Sequence, residues 1–458
     1  VSTPRKSPKR PAIRTTSAPA AGPVARPAER PGESPVDRPA DDAIWPRVTR
    51  ELADDLAVDA LARDRAGKEP FDEVARLQEA GLPALLTAPG PNRRGAEWQA
   101  ACAVVREISA ADSSVGELLA HHYALSWSSR FFGGPARDPG TPLANGHPLD
   151  VRTTEGRWLL AGGVEAPRLE TGAGLTLTPA DSGGGWILDG TRTFASAVTV
   201  ADRLVVGARP GGSGDVFIVL VDPAEPGVFT DAGTERVGQR LAGAGTVTFD
   251  RVPVAPEDVL GALPHDEHAV APYSTLAPLV LRLLLVHVGL GIAEGALAEA
   301  RDISRAGHAG PAPADRSGGA SDGSVTGGAG DDPYLLLAYG ELATAAHAAA
   351  AVVERATDAL THGLLAAWSL GVEERADIAV LVAAAETVTG RAAVHITTRI
   401  LELVDGTAGA DSRAGGPGFD RFWRNARALT APTQAAHRLR DIGDHYLNGT
   451  HARLTLLA

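Results

Sequence analysis

The run WILDGTRTFASAVTVADRLVVGAR, Trp186–Arg209, decides how the chain is organised. Its two ends, WILDGTRTF and DRLVVGAR, carry apolar and β-branched residues at two-residue spacing. That is the period of a strand, which turns alternate side chains to opposite faces. Between them lies a Ser/Ala-rich bend with Ser196 in it. A hydroxyl and backbone N–H groups at such a bend can face a ligand, and the alternative is an ordinary turn serine.

On either side the same texture continues. RWLLAGGVEA, GLTLTPA, DVFIVLVD and GTVTFDRVPV are short alternating runs separated by Gly-rich turns. Together they predict a middle antiparallel β-barrel or sheet domain of roughly 100 residues, set at 150–262. Before it, AIWPRVTRELADDLAVDALARDRAG, FDEVARLQEAG and EWQAACAVVREISAADSSVGELLAHHYALSW space their apolar residues by three and four. They predict an N-terminal helical domain over 43–149. After it, Thr275–Ser304, Pro333–Gly363, Glu373–Val404 and Pro432–Leu447 are long apolar-periodic segments. They predict a C-terminal four-helix bundle within 263–458, with a Gly/Ser-rich flexible loop at 305–332. The expected fold class is α+β. Residues 1–42 are rich in Pro, Ala, Arg and Ser, have almost nothing to pack, and read as a disordered tail.

Composition narrows the function. A net charge of −13 makes the chain a poor general binder of phosphate backbones, so no nucleic-acid partner is expected. The single cysteine, Cys102, excludes an intramolecular disulfide and a Cys-based zinc site, and fits a reducing, cytoplasmic setting. Leu276–Gly295 is apolar enough to raise a membrane span. Arg282, His287 and Glu294 interrupt it, so it reads as a buried helix. There is no Walker loop, no G-x-S-x-G elbow and no H-E-x-x-H, and no metal site is expected.

Two further segments carry chemistry. In AHHYALSW, Ala120–Trp127, helical spacing puts His122 on a face with Leu118 and Leu125, and His121 with Glu117 on another. His122 is therefore expected among apolar groups and His121 towards water. A core histidine with one hydrogen-bond partner is one reading of His122; an acid or base is the other. In DGTAGADSRAGGPGFDRFWRNARALTAPT, Asp405–Thr433, a Gly-rich loop precedes Arg421, Arg424 and Arg427. These arginines fit a salt-bridged surface, an anionic cofactor or a neighbouring subunit.

In order and spacing, the chain from about residue 42 to 450 resembles the acyl-CoA dehydrogenase superfamily. The marks are DGTRTFASAVTVAD (Asp189–Asp202), VGQRLAGAGTVTFDRVPVAPEDVLG (Val237–Gly261) and FDRFWRNAR (Phe419–Arg427). Within it the chain is most similar to the flavin-dependent monooxygenase branch. The His122–Tyr123 pair, the FASA bend and the ending IGDHYLNG (Ile442–Gly449) carry that likeness.

The resemblance implies reduced flavin (FMN or FAD) delivered by a separate flavin reductase, and oxygenation of a small-molecule substrate. It implies His122 on the substrate side and Ser196 at flavin N5, both as catalytic residues. Phe194, Ala195, Ser196, Arg305, Gly406, Gly409 and Ser412 would hold the cofactor, Arg305 across a subunit interface of a homotetramer. Two positions depart from the pattern. Pro432 stands where the monooxygenases carry a histidine, and Thr433 where the dehydrogenases carry a catalytic glutamate. His437, His445 and Glu402 are the nearby groups able to substitute. An FAD-dependent acyl-CoA dehydrogenase and a non-catalytic ligand-binding member remain the alternatives.

Overall fold

The computed structural model describes residues 44–87, 95–134, 148–164, 174–180, 184–211, 214–233, 236–266, 269–308, 332–407, 418–430 and 432–450. The tail expected at 1–42 lies outside them, as does the loop from 309 to 331.

Among the described residues, six helices come first: α1 (Ile44–Ala66), α2 (Phe71–Glu79), α3 (Trp98–Ala111), α4 (Ser113–Ser126), α5 (Ser128–Phe132) and α6 (Leu149–Gly156). Eight strands follow: β1 (Leu160–Gly163), β2 (Thr176–Pro179), β3 (Trp186–Phe194), β4 (Arg203–Pro210), β5 (Val216–Val221), β6 (Val228–Asp231), β7 (Gly245–Val254) and β8 (Val259–Leu263). The chain then returns to helix: α7 (Ala277–His308), α8 (Pro333–Ala366), α9 (Val372–Thr407), α10 (Asp420–Leu429) and α11 (Pro432–Asn448). The α7 helix runs four residues past Ser304, into the segment expected as loop.

The strands form one sheet, in the order β6-β7-β3-β2-β4-β5-β8, with β1 also on β4. This sheet is mixed, which corrects the antiparallel expectation. β1 and β2 both run parallel to β4, and the other pairs are antiparallel. The reason lies in the bend after β3. It does not fold β4 back onto β3 as a hairpin, but carries it to the far side of β2. Period-two patterning reports which face a side chain takes, not the direction of the partner strand. The sequence of β4 fits its place between partners on both sides: Leu204 to Ala208 are buried without alternation, as in strands covered on both faces.

Helix α4 is wholly internal. All fourteen of its residues are buried, polar and apolar alike. Its first turn is fixed by Asp112, whose Oδ1 accepts from the Ser114 backbone N–H at 3.1 Å. The other oxygen of Asp112 accepts from the buried Arg63 of α1 at 2.9 Å, and Arg63 also pairs with Glu73 of α2. One arginine thus anchors three helices at the start of α4.

Around α4 pack α3, α7 and β1, and α7 in turn packs against α3, α8, α9 and α10. Close approach of α7 to α3 depends on Gly295, where a Cβ would stand 2.1 Å from the Ala110 carbonyl oxygen. By length and composition α7, α8 and α9 could each cross a membrane. For α7, 78% of the most apolar window is buried inside the protein, as expected of a core helix.

Gly162 of β1 sits at φ +125°, where a Cβ would meet the Val205 oxygen of β4 at 2.1 Å. Gly162→Ala should therefore lower stability by on the order of 2 kcal/mol or more, since strain and a backbone clash add. Gly134→Ala is the control, with φ +87° but open space around it. Thermal unfolding that shows equal losses for the two would refute the packing argument at the β1–β4 seam.

Candidate active site

A cavity of about 240 Å³ opens between α4, α5, β1, the end of β3 and the start of α7. Helical spacing on α4 brings His121, Ala124 and Leu125 to it. Ser128 and Phe132 come from α5, Gly162 and Gly163 from β1, and Arg192, Thr193, Phe194 and Ala195 from β3 and the bend. Ala277 and Leu281, one turn apart on α7, close the remaining side. Most of the wall is apolar and the polar groups are few, the usual make-up of a small-molecule site.

His121 is buried, with 6% of its surface exposed. Its Nδ1–H donates to the Glu117 carbonyl at 3.0 Å, which leaves Nε2 as the lone-pair nitrogen of the neutral ring. Ser128 Oγ donates to the Leu125 carbonyl at 2.7 Å. Arg192 donates to the Gly163 carbonyl at 3.0 Å, and its guanidinium carbon lies 5.1 Å from the Phe194 ring centroid.

His122 is placed elsewhere. It is fully buried, and both ring nitrogens are engaged by backbone. Nε2–H donates to the Pro83 carbonyl at 2.8 Å, and Leu160 N–H of β1 donates to Nδ1 at 3.0 Å. The adjoining Tyr123 donates its hydroxyl to the Leu82 carbonyl at 2.8 Å. His121, expected towards water, is instead buried and lines the cavity, and His122 ties α4 to the turn at 82–84 and to β1. Helical spacing separates a polar from an apolar face only where one side meets water, and α4 has no such side.

Of the other residues expected at the site, Phe194 and Ala195 line the cavity. Ser196 adjoins it but is 99% buried, and its Oγ donates to the Ala242 carbonyl at 3.1 Å. The bend is stitched to the 239–243 loop by Ala197 N–H to Ala242 O (2.7 Å) and Val198 N–H to Gly243 O (2.9 Å), with Ala197 at φ +62°. Arg305 is exposed near the C-terminal end of α7. At 1.5 Å per residue it stands roughly 36 Å along the helix from Leu281, so one chain does not bring it to this cavity. Gly406 closes α9, while Gly409 and Ser412 lie outside the described residues.

His437, His445 and Glu402 do not line the cavity. His445 and Glu402 pair instead with Asp377 and Arg399. Arg421 and Arg424 of α10 serve as salt-bridge anchors, to Glu299 and to Asp64. Sequence reasoning missed Gly162, Gly163 and Arg192, although the Gly pair inside an apolar strand run was a visible sign of close approach.

The walls fit a flavin ring. Phe194, Leu125, Phe132 and Leu281 offer apolar faces, Gly162 and Gly163 add backbone with no side chain to the wall, and His121 and Thr193 would supply polar contacts. No carboxylate lines the cavity among the described residues.

Burial pulls His122 from 6.5 to about 4. The unfolded ring takes up its proton below about pH 6.5 while the folded ring stays neutral. The His122 contribution is therefore complete above that pH and is lost as pH falls towards 4, by ~3 kcal/mol in all. Urea unfolding of wild type and His122→Gln at pH 7 and pH 5 checks this. The variant should be weaker at pH 7 and lose less on acidification; an unchanged acid loss would contradict the assignment.

No family model matches the chain. Dibenzothiophene monooxygenase of Mycolicibacterium goodii is 30% identical over 413 residues, covering 88% of this chain and 93% of that protein. The crystal structure of FMN-bound TdsC from Paenibacillus sp. A11-2 superposes with a TM-score of 0.76 at 28% identity, covering 91% of this chain and 100% of that one. Butyryl-CoA dehydrogenase of Megasphaera elsdenii shares the fold at 18% identity, with a TM-score of 0.67 over 91% of this chain and 100% of its own. With an acyl-CoA dehydrogenase-like fold and this extent of likeness, the chain belongs to the dibenzothiophene monooxygenase family of flavin-dependent monooxygenases.

Proposed function

We propose that this protein is the oxygenase of a two-component system, using reduced FMN from a separate reductase and O2 to oxygenate a small organic molecule in the cytoplasm. The observation that carries this reading is the cavity whose apolar walls meet the His121 imidazole and the Phe194–Ala195 bend. Phe194, Ala195, Gly162 and Gly163 would hold the flavin ring. Bound reduced flavin supplies the electrons that activate oxygen. His121 would accept a proton at Nε2 and return it from there, its tautomer set by the Nδ1–H bond to Glu117 O. Leu125, Phe132, Phe194 and Leu281 exclude water from that exchange. His122, locked neutral between two backbone groups, keeps α4 in place. Thioester dehydrogenation is the poorer fit, because its α-proton needs a carboxylate base.

In the same reading, the C-terminal helices form a four-helix bundle within a homotetramer. Tyr334, Leu336, Leu337 and Leu365 of α8 are exposed, and a further copy would cover them. Arg305, Gly406, Gly409 and Ser412 would then serve a neighbour's flavin, and Ser196 the flavin edge. Light scattering should give four chains per particle; a monomer at micromolar concentration would contradict this arrangement.

Anaerobic titration with reduced FMN, followed by oxygen and candidate substrates, tests the activity. His121→Ala should stay folded and bind reduced FMN, with product formation down by ~10²-fold or more, the scale for losing a positioned acid or base. Full turnover in His121→Ala would remove His121 from the mechanism. Failure of the wild type to bind reduced FMN would overturn the proposal.

A further inference from the structure

Glu117 lies one helical turn before His121 on α4, so the two side chains stack along one face. Its carboxyl is buried, with 2% exposure, and its Oε2 has no hydrogen-bond partner. Oε1 stands 3.5 Å from Nη1 of Arg236, in the segment that enters the 237–243 loop. The same Nη1 donates to the Ala195 carbonyl at 3.1 Å. Ala195 and His121 both line the cavity, from its sheet side and its helix side. One guanidinium therefore spans from the residue that orients His121 to the backbone of the flavin-facing bend.

A carboxylate removed from water is costly unless an opposite charge stands close. Burial pushes the Glu117 carboxyl up, and Arg236 beside it offsets only part of that rise. Because the pair joins α4 to the bend, its geometry sets how far the His121 wall stands from the Ala195 wall.

We propose that Glu117 and Arg236 are positioning residues of this cavity, a bridged pair that fixes the gap in which the flavin ring lies. This rests on the flavin reading above. The two residues touch neither substrate nor cofactor in the proposal; they act through His121 and the Ala195 carbonyl.

A double-mutant cycle on FMN affinity tests it, using full-length protein, oxidised FMN followed by fluorescence quenching, and melting temperatures in parallel. Arg236→Ala should weaken FMN binding about 10-fold, near 1.4 kcal/mol. Arg236→Lys should recover most of that loss, because it keeps the charge on Glu117. Glu117→Gln should also weaken binding and alter the visible spectrum of bound FMN. Arg236→Ala with Glu117→Gln should bind no worse than Arg236→Ala alone, because the second change acts through a contact already gone.

Losses that multiply in the double variant would overturn the proposal. So would FMN affinity and spectrum unchanged in both single variants. A fall in melting temperature with normal FMN binding would show a pair that only stabilises the fold, and would overturn it too. Should Arg236→Ala fail to fold, Glu117→Gln decides alone, and wild-type FMN affinity in it ends the proposal. Wild-type protein that binds no FMN would end both this inference and the reading on which it rests.

Discussion

The arrangement of the molecule depends on a helix with no solvent side held by one neutral imidazole. Every residue of α4 is inside, and His122 uses one nitrogen on Pro83 and the other on Leu160. Each of those backbone groups would otherwise be buried without that partner, at a cost of ~1–3 kcal/mol each. With His122 fixed, the helix cannot rotate about its axis. The preceding residue, about 100° around the helix, is then aimed at the cavity. The Asp112 cap and Arg63 hold the same helix against sliding along its axis.

Much of the chain's organisation was legible in its residues because it depends on local periodicity. The long C-terminal segments match α7, α8, α9 and α11 to within a few residues, since three-and-four spacing survives whatever the helices pack against. Strand direction was not legible. Nothing in DGTRTFASAVTVADRLVV tells whether β4 returns beside β3 or passes to the far side of β2, because two-residue spacing carries no information on the partner strand, and the bend's own partners lie in the distant 239–243 loop. The histidine pair shows a second limit. Two adjacent residues on a helix differ by direction alone, and which direction faces the cavity is set by Pro83 and Leu160, 39 and 38 residues away.

The chemistry follows from what the cavity contains. Its walls bring together few polar groups, and the charged one, Arg192, is engaged with a carbonyl and stacked near Phe194. Such a space favours a flat, largely apolar ring. His121 is the cavity-lining imidazole among the described residues.

The central claim is that His122 is a structural cross-link and His121 is the ring that meets the cofactor. The imidazole ¹⁵N spectrum of the two residues tests it most directly, recorded with and without FMN between about pH 8 and pH 5. The account predicts that His122 stays the neutral Nε2–H tautomer throughout and does not respond to FMN, while the His121 resonances move when FMN is added. A His122 ring that titrates near pH 6.5, or that shifts with FMN while His121 stays still, would contradict it.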